Sequence, residues 1–508
     1  MIIKNQKKFI YYLLFVSFFI FHYYQLFNQH WSGVLDQDFV IIYNSILINS
    51  GFEQEYRDHP AFTTFLLNSF IFKIISYFSS LPSNLNNILA SNDIDSVFQI
   101  YFYISRTINF LINLILIFVF SKIINFFQID KNLKFLIILT FVFSIGFIYS
   151  FFSIRSENIS LLFLCLSILI IFSKNKNYVL KFFLSGVFFS LAMFAKIQII
   201  FLGTLLILFI PMIIREHSPV IKNNTLSNYY FIISLVLGIL TYVFYQFYIQ
   251  EFPRFQTNKY LDLTIFIVCV FITYFYFKFS QNFKISIIFL SSFLNGFIFL
   301  IVLVLILDLL GLLQVNKFIL LRLTNPLHYM TEFTGSLANG VINFNYILKN
   351  IIKFFSSYNF NLVELFLISS IFIINLKNKN YTFGIFLIFI LNTFVMNYRY
   401  LPTYHLYYVF IYLIFFTISI KNFQLNLSLK LSYFVLVLFF INSFNFFIFK
   451  NNDFKFTKIL SREKGFSKIC NELNFKIKSD TYENLQYIMY YHNRLTQVSI
   501  SKICKEIN

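Results

Sequence analysis

Ala61-Phe-Thr-Thr-Phe-Leu-Leu-Asn-Ser-Phe-Ile-Phe-Lys73-Ile-Ile-Ser-Tyr-Phe78 is long and apolar enough to be a membrane span, and whether it crosses decides on which side every later loop falls. The question arises because the rest of the chain already reads as membrane-embedded. Of 508 residues, 58% are hydrophobic, 22% aromatic and 12% charged, so a water-soluble fold would lack the polar surface to cover itself. The solvent must be lipid.

Working outward from 61–78, apolar runs lie near 9–27, 98–120, 134–152, 158–173, 181–195, 198–214, 228–248, 261–277, 285–307, 360–376, 381–396, 403–420 and 431–449. They predict an all-α polytopic bundle of about thirteen transmembrane helices, occupying 1–449. Lys4, Lys7 and Lys8 put the amino end of the first run inside, and that run is too long and lacks the small-residue site of a cleaved signal peptide. The loops holding Lys122, Lys131 and Lys134, Lys174, Lys176 and Lys181, Arg215 and Lys222, Lys278 and Lys284, Lys377 and Lys379, and Lys421 and Lys430 then all share that side, provided 61–78 does not cross. The stretch is therefore expected to be a re-entrant or juxtamembrane helix on the outer face, the competing reading being an ordinary second span with Lys73 snorkelling. The loop 80–97, with Asp93, Asp95 and no Lys or Arg, suits the outside, and an interfacial helix is expected at 337–355.

The net charge of +19 is scattered singly and in pairs between apolar runs, where it orients helices, so no nucleic-acid partner is expected. The tail 450–508 is polar and expected to form a small extramembrane segment. The odd span count puts it in the periplasm, while its own basic excess argues the other way. Four Cys are too few for a disulfide scaffold; Cys470 and Cys504 share the tail, where a disulfide and two free thiols both remain open.

With only 21 acidic residues in the chain, their clustering is informative. The densest group follows the first span, in an outer loop at about 28–97: Trp31-Ser-Gly-Val-Leu-Asp36-Gln-Asp38, a short interfacial helix expected over 39–49, then Gly51-Phe-Glu53-Gln-Glu55-Tyr-Arg57-Asp58-His59-Pro60. Carboxylates held at a membrane surface can act as a general base or ligate a divalent cation; a solvated acidic loop is the plainer account. A second group, Ser153-Ile-Arg155-Ser-Glu157-Asn158, sits where two spans meet outside, fitted either to phosphate and hydroxyl groups or to headgroups and each other. Lys196, in Ala192-Met-Phe-Ala-Lys196-Ile-Gln198, and Arg106, in Ile104-Ser-Arg106-Thr-Ile-Asn109, read individually as snorkelling side chains or as anion ligands. All four groups fall on one face of the membrane under a topology derived without them.

In that order the motifs resemble the GT-C superfamily of glycosyltransferases, in the branch of the protein O-mannosyltransferases and the lipid A aminoarabinose transferase. Asp36 takes the place of the branch's outer-face Asp, and Gly51 that of the Gly ending the next helix. Asp58-His59-Pro60-Ala61 takes its Pro-Pro-Leu region with the preceding acid or His, Arg106 its Arg, Glu157 its later acid, and Phe194-Ala-Lys196 its donor-binding Lys segment. The resemblance covers about 20–215. Gln37 stands where the branch has Glu, Ala61 where it has the second Pro, and Arg-x-Glu where many members have Asp.

The resemblance implies a polyprenyl-phosphate sugar donor presented from the bilayer, a lipid, glycan or protein acceptor, and an active site on the outer face of a bacterial inner membrane. Asp36, helped or replaced by Asp38, would deprotonate the acceptor. Lys196, with Arg106 or Arg155, would bind the departing phosphate. Asp58, His59 and Glu157 would orient the acceptor or hold a divalent cation, and the sequence leaves the use of a metal unknown. Two rivals stand beside it. A glycan polymerase or ligase would use a late outer loop such as 308–359 with Arg322, His328 and Glu332. A transporter of lipid-linked sugars would show polar residues at mid-bilayer depth, where Asn113 and Asn295 are modest candidates.

Overall fold

The computed structural model describes residues 20, 38–54, 61–91, 94–151, 153–173, 177–200, 203, 283–315, 369 and 401–423. Among these residues the fold is all-helical: α1 (Asp38–Asn49), α2 (Phe62–Phe78), α3 (Leu85–Ala90), α4 (Ile94–Phe126), α5 (Lys131–Val142), α6 (Ile145–Phe151), α7 (Ser156–Phe172), α8 (Tyr178–Ala195), α9 (Phe283–Leu309) and α10 (Leu401–Phe423). Among the described residues three segments are long and apolar enough to cross a membrane: Ser96–Phe126, Tyr178–Ala195 and Ile288–Leu309. This is the composition of a membrane protein. The expected runs at 9–27, 198–214, 228–248, 261–277, 360–376, 381–396 and 431–449, the segment 337–355 and the tail with Cys470 and Cys504 lie wholly or almost wholly outside the described residues.

Side-chain bonds fix the direction of the helices. α7 and α8 pack antiparallel, joined at one end by Glu157 and Lys196 and at the other by Lys181, whose Nζ donates to the Ser173 carbonyl at 2.8 Å. α4 runs parallel to α7, because Asn158 bonds Asn109 near one end and Phe126 stacks on Phe172 near the other. The end holding Glu157 and Lys196 is called the site end below. From Arg106 to Phe126, α4 extends about 30 Å, the thickness of a hydrocarbon core, leaving its first turns beyond the site end.

Those first turns belong to a second, smaller core. Phe39, Ile88, Phe72, Phe98, Tyr101 and Ile154 pack together in a cap made of α1, α2, α3 and the start of α4. The cap is built from local signals. α1 ends in a Schellman turn, with Phe52 N–H bonding the Leu47 carbonyl at 2.9 Å and Gly51 N–H the Ile48 carbonyl at 3.1 Å, and Gly51 supplies the φ of 70° that this turn needs. Asn84 caps α3 by accepting from the Asn87 amide. α2 is the 61–78 stretch. Its start meets the last turns of α8, through Thr63 to the Leu191 carbonyl and Phe62 against Phe194, and ten residues on Phe72 lies against Tyr101 of α4. It thus traverses the site end from α8 to α4.

The main core fills the bundle, with Phe120, Phe141, Phe147 and Phe410 among its buried rings. α8 and α9 approach backbone to backbone: a Cβ on Gly186 would fall on the Phe293 carbonyl, and one on Gly296 on the Phe183 carbonyl. The run expected as one helix over 134–152 is instead two, α5 and α6, broken at Phe143–Ser144. The break is tolerable in an apolar bundle because Ser144 re-satisfies the backbone, its Oγ accepting from Phe147 N–H at 3.3 Å and donating to the Phe141 carbonyl at 2.7 Å.

Candidate functional site

The site lies at the seam between cap and bundle. Asp38 opens α1 and points inward with no exposed surface. Its Oδ1 accepts from the Ile154 amide at 2.6 Å, and its Oδ2 pairs with Arg106 Nη2 at 2.5 Å. Arg106 comes from α4, its guanidinium 5.0 Å above the Phe102 ring. Burial pushes the Asp38 carboxyl above the ordinary 3.8, against the downward pull of Arg106, Arg155 and the Ile154 amide. One carboxylate therefore ties three segments together: the start of α1, the middle of α4 and the turn before α7.

The second pair joins the two antiparallel helices. Glu157, in the first turn of α7, meets Lys196, directly after α8, with Oε1 and Nζ 3.0 Å apart and both side chains 2% exposed. Each charge also has the favourable helix end, the acid at an amino terminus and the ammonium beyond a carboxyl terminus. Arg155 links the two pairs, its positive charge acting on Asp38 and Glu157 alike. It too is buried, with its Nε 3.4 Å from Ser153 Oγ.

Two asparagines hold the turn that carries Arg155. Asn109 of α4 donates to the carbonyls of Ser150 at 3.0 Å and Ser153 at 2.8 Å, while Asn158 donates to Asn109 Oδ1 at 2.8 Å and to the Ser150 carbonyl at 2.7 Å. A turn leaving a helix has unsatisfied carbonyls, and this clasp supplies their donors inside an apolar surround.

Of the residues singled out in the sequence, Asp38, Arg106, Arg155, Glu157 and Lys196 come together here. Asp36, Asp58 and His59 lie outside the described residues. Lys196 is buried against a carboxylate and does not snorkel, and Glu157 pairs with it although Arg155 is nearer in sequence. Among the described residues no three His, Cys, Asp or Glu side chains gather as metal ligands. The clasp of Asn109 and Asn158 was not anticipated, although two amides beside apolar runs were its signal. Nor was Tyr407 of α10, which is fully buried and lies in the field of Glu157. One Tyr among 34 carries no such signal.

Fold and site together define a helical protein of membrane composition with five charged residues buried at one end of its bundle. No family model, curated protein or solved structure matches the chain.

Proposed function

We propose that this protein is a GT-C-type membrane glycosyltransferase that passes a sugar from a polyprenyl-phosphate donor to a hydroxyl of a lipid, glycan or protein acceptor, with inversion. The observation that carries the reading is convergence. Five charged residues, taken from four separate stretches for their fit to phosphate and hydroxyl chemistry, meet in one buried cluster. Arg106, Arg155 and Lys196 bring to that cluster the side chains suited to a phosphate monoester.

In the reaction, the acceptor oxygen bonds the anomeric carbon while its proton passes to a carboxylate. The bond from that carbon to the phosphate oxygen breaks on the opposite side, and its electron pair leaves with the polyprenyl phosphate. We assign the base to Asp36, because both Asp38 oxygens already hold Arg106 and the Ile154 amide. Lys196 and Arg155 would stabilise the charge gathering on the phosphate, with Glu157 keeping Lys196 in place until the donor arrives. Asp58 and His59 would orient the acceptor or hold a divalent cation.

The proposal includes about thirteen spans over 1–449, with α2 as an uncrossed helix in the outer loop 28–97, a small periplasmic segment at 450–508, and an inner-membrane location with the site facing the periplasm. A transporter would keep ionisable groups at mid-depth, whereas Glu157 and Lys196 are paired at helix ends and Asn113 bonds the Asn109 carbonyl of its own helix. The test is to offer the purified protein in lipid nanodiscs a panel of polyprenyl-phosphate hexoses and pentoses. Release of polyprenyl phosphate with an inverted sugar product supports the reading, and no release from any donor refutes it.

A further inference from the structure

Three buried, uncharged side chains at the seam take no part in the pairings above. Leu67 and Ile71 of α2 pack against the main core, whereas Phe65 and Phe72 of the same helix belong to the cap core. By the helical repeat, Thr64 and Asn68, one turn apart, fall on the strip between those faces, which is the seam itself. On α4, Tyr101 rests on Phe72 and Asn109 holds the site turn, and Ser105 lies one turn from each on the same stripe. Asn68 and Ser105 thus each lie one turn on the site side of the contact between Phe72 and Tyr101. Thr64 is 3% exposed, and Asn68 and Ser105 1% each. Asn68 Nδ2 donates to the Thr64 carbonyl at 2.9 Å, but Asn68 Oδ1 and the hydroxyls of Thr64 and Ser105 have no hydrogen-bond partner among the described residues.

We infer that Thr64, Asn68 and Ser105 form a neutral subsite for the hydroxyls of the sugar on the lipid-linked donor, which rests on the transferase reading above. A buried polar atom without a partner destabilises the fold, so three along one seam are explained by a ligand that pairs with them. Sugar hydroxyls both donate and accept, and so suit an amide oxygen and two hydroxyls. Asn68 Oδ1 can only accept, so it takes a hydroxyl proton and repels a phosphate oxygen. The position fits as well. Phe62, two residues before Thr64, lies against Phe194, two residues before Lys196. A sugar bonded to a phosphate at Lys196 therefore falls beside α2, with charged side chains serving the phosphate and neutral ones the sugar.

Full-length protein in lipid nanodiscs is titrated with farnesol, with farnesyl phosphate, and with the farnesyl phosphate esters of mannose, glucose and arabinose. Wild-type protein is expected to bind farnesyl phosphate more tightly than farnesol, and at least one sugar ester more tightly still. Thr64→Val and Asn68→Leu should each weaken that ester by about three- to tenfold, the effect of one hydrogen bond, and leave farnesyl phosphate affinity unchanged. Their unfolding temperature without ligand should stay level or rise, because each puts an apolar group of similar size where a buried oxygen had no partner. Variants that bind the ester like wild type, as oxygens meeting only water would require, overturn the subsite alone. So do variants that lose farnesyl phosphate equally or unfold at a lower temperature, and so does a wild-type protein that binds no ester more tightly than farnesyl phosphate. A wild-type protein without preference for farnesyl phosphate over farnesol overturns the transferase reading and the subsite with it.

Discussion

Lys181 and Lys196 stand at opposite ends of α8 and show two ways of keeping an ammonium beside an apolar bundle. At the far end, Lys181 donates to the Ser173 carbonyl and lies 5.6 Å from the Tyr178 ring, as Lys122 lies 5.1 Å from that of Phe118. Those are neutral partners. At the site end, Lys196 meets the Glu157 carboxylate and Arg106 meets that of Asp38, with every side chain at 5% exposure or less. An ammonium against a carbonyl can lose its charge with little penalty, whereas a buried ion pair that loses one member leaves the other without compensation. Such an arrangement is weak evidence for stability.

The largest expected difference comes from removing one ammonium at each end. Lys196→Met leaves Glu157 buried and unpaired and should lower stability by about 3–5 kcal/mol. Lys181→Met removes one hydrogen bond to a neutral carbonyl, worth about 1 kcal/mol. Chemical unfolding in detergent micelles measures both, and equal losses would erase the distinction between the ends.

A neighbouring pair sharpens the comparison within the site end. Asp38→Asn weakens the charged bonds to Arg106 and the Ile154 amide and should lower stability by about 2–3 kcal/mol. Asp36→Asn should leave stability near wild type and abolish transfer, since an amide cannot accept the acceptor proton. If Asp38→Asn alone removes turnover and leaves stability intact, the base is Asp38.

Packing defects should be smaller and blind to charge. Gly186→Ala forces α8 away from the Phe293 carbonyl and should cost about 1–3 kcal/mol in chemical unfolding. Smallest of all, Lys122→Met on the exposed far end should shift stability by under about 0.5 kcal/mol.

The helices themselves were legible because apolar runs are bounded by Lys, Asn and Ser. The runs at 158–173, 181–195, 285–307 and 403–420 appear as α7, α8, α9 and α10 within a few residues, and the short helices at 39–49 and 61–78 as α1 and α2. The α4 extension to Ile94 was hidden, since hydropathy falls at Asp95 and Gln99 although both suit a helix. So was the break at Ser144, where no proline announces it and a serine cap suffices. The site was legible as an inventory and not as pairings. Arg155 precedes α7 with extended backbone while Glu157 lies in its first turn, and the partner Glu157 takes depends on α7 packing antiparallel to α8. The burial of Tyr407 needed the close passage of α6 by α10, which no local pattern encodes.

In the proposed function the buried charges at the site end serve a phosphate leaving group. That role is tested most directly by neutralising one pair without unbalancing it. Glu157→Gln/Lys196→Met keeps the volume and removes both charges together, so the fold should survive close to wild-type stability. Polyprenyl phosphate release from the sugar donor that wild type uses should nevertheless fall by about a hundredfold or more, the contribution of a preorganised cation to a charge that develops in the transition state. A folded double variant that releases polyprenyl phosphate at the wild-type rate would contradict the account.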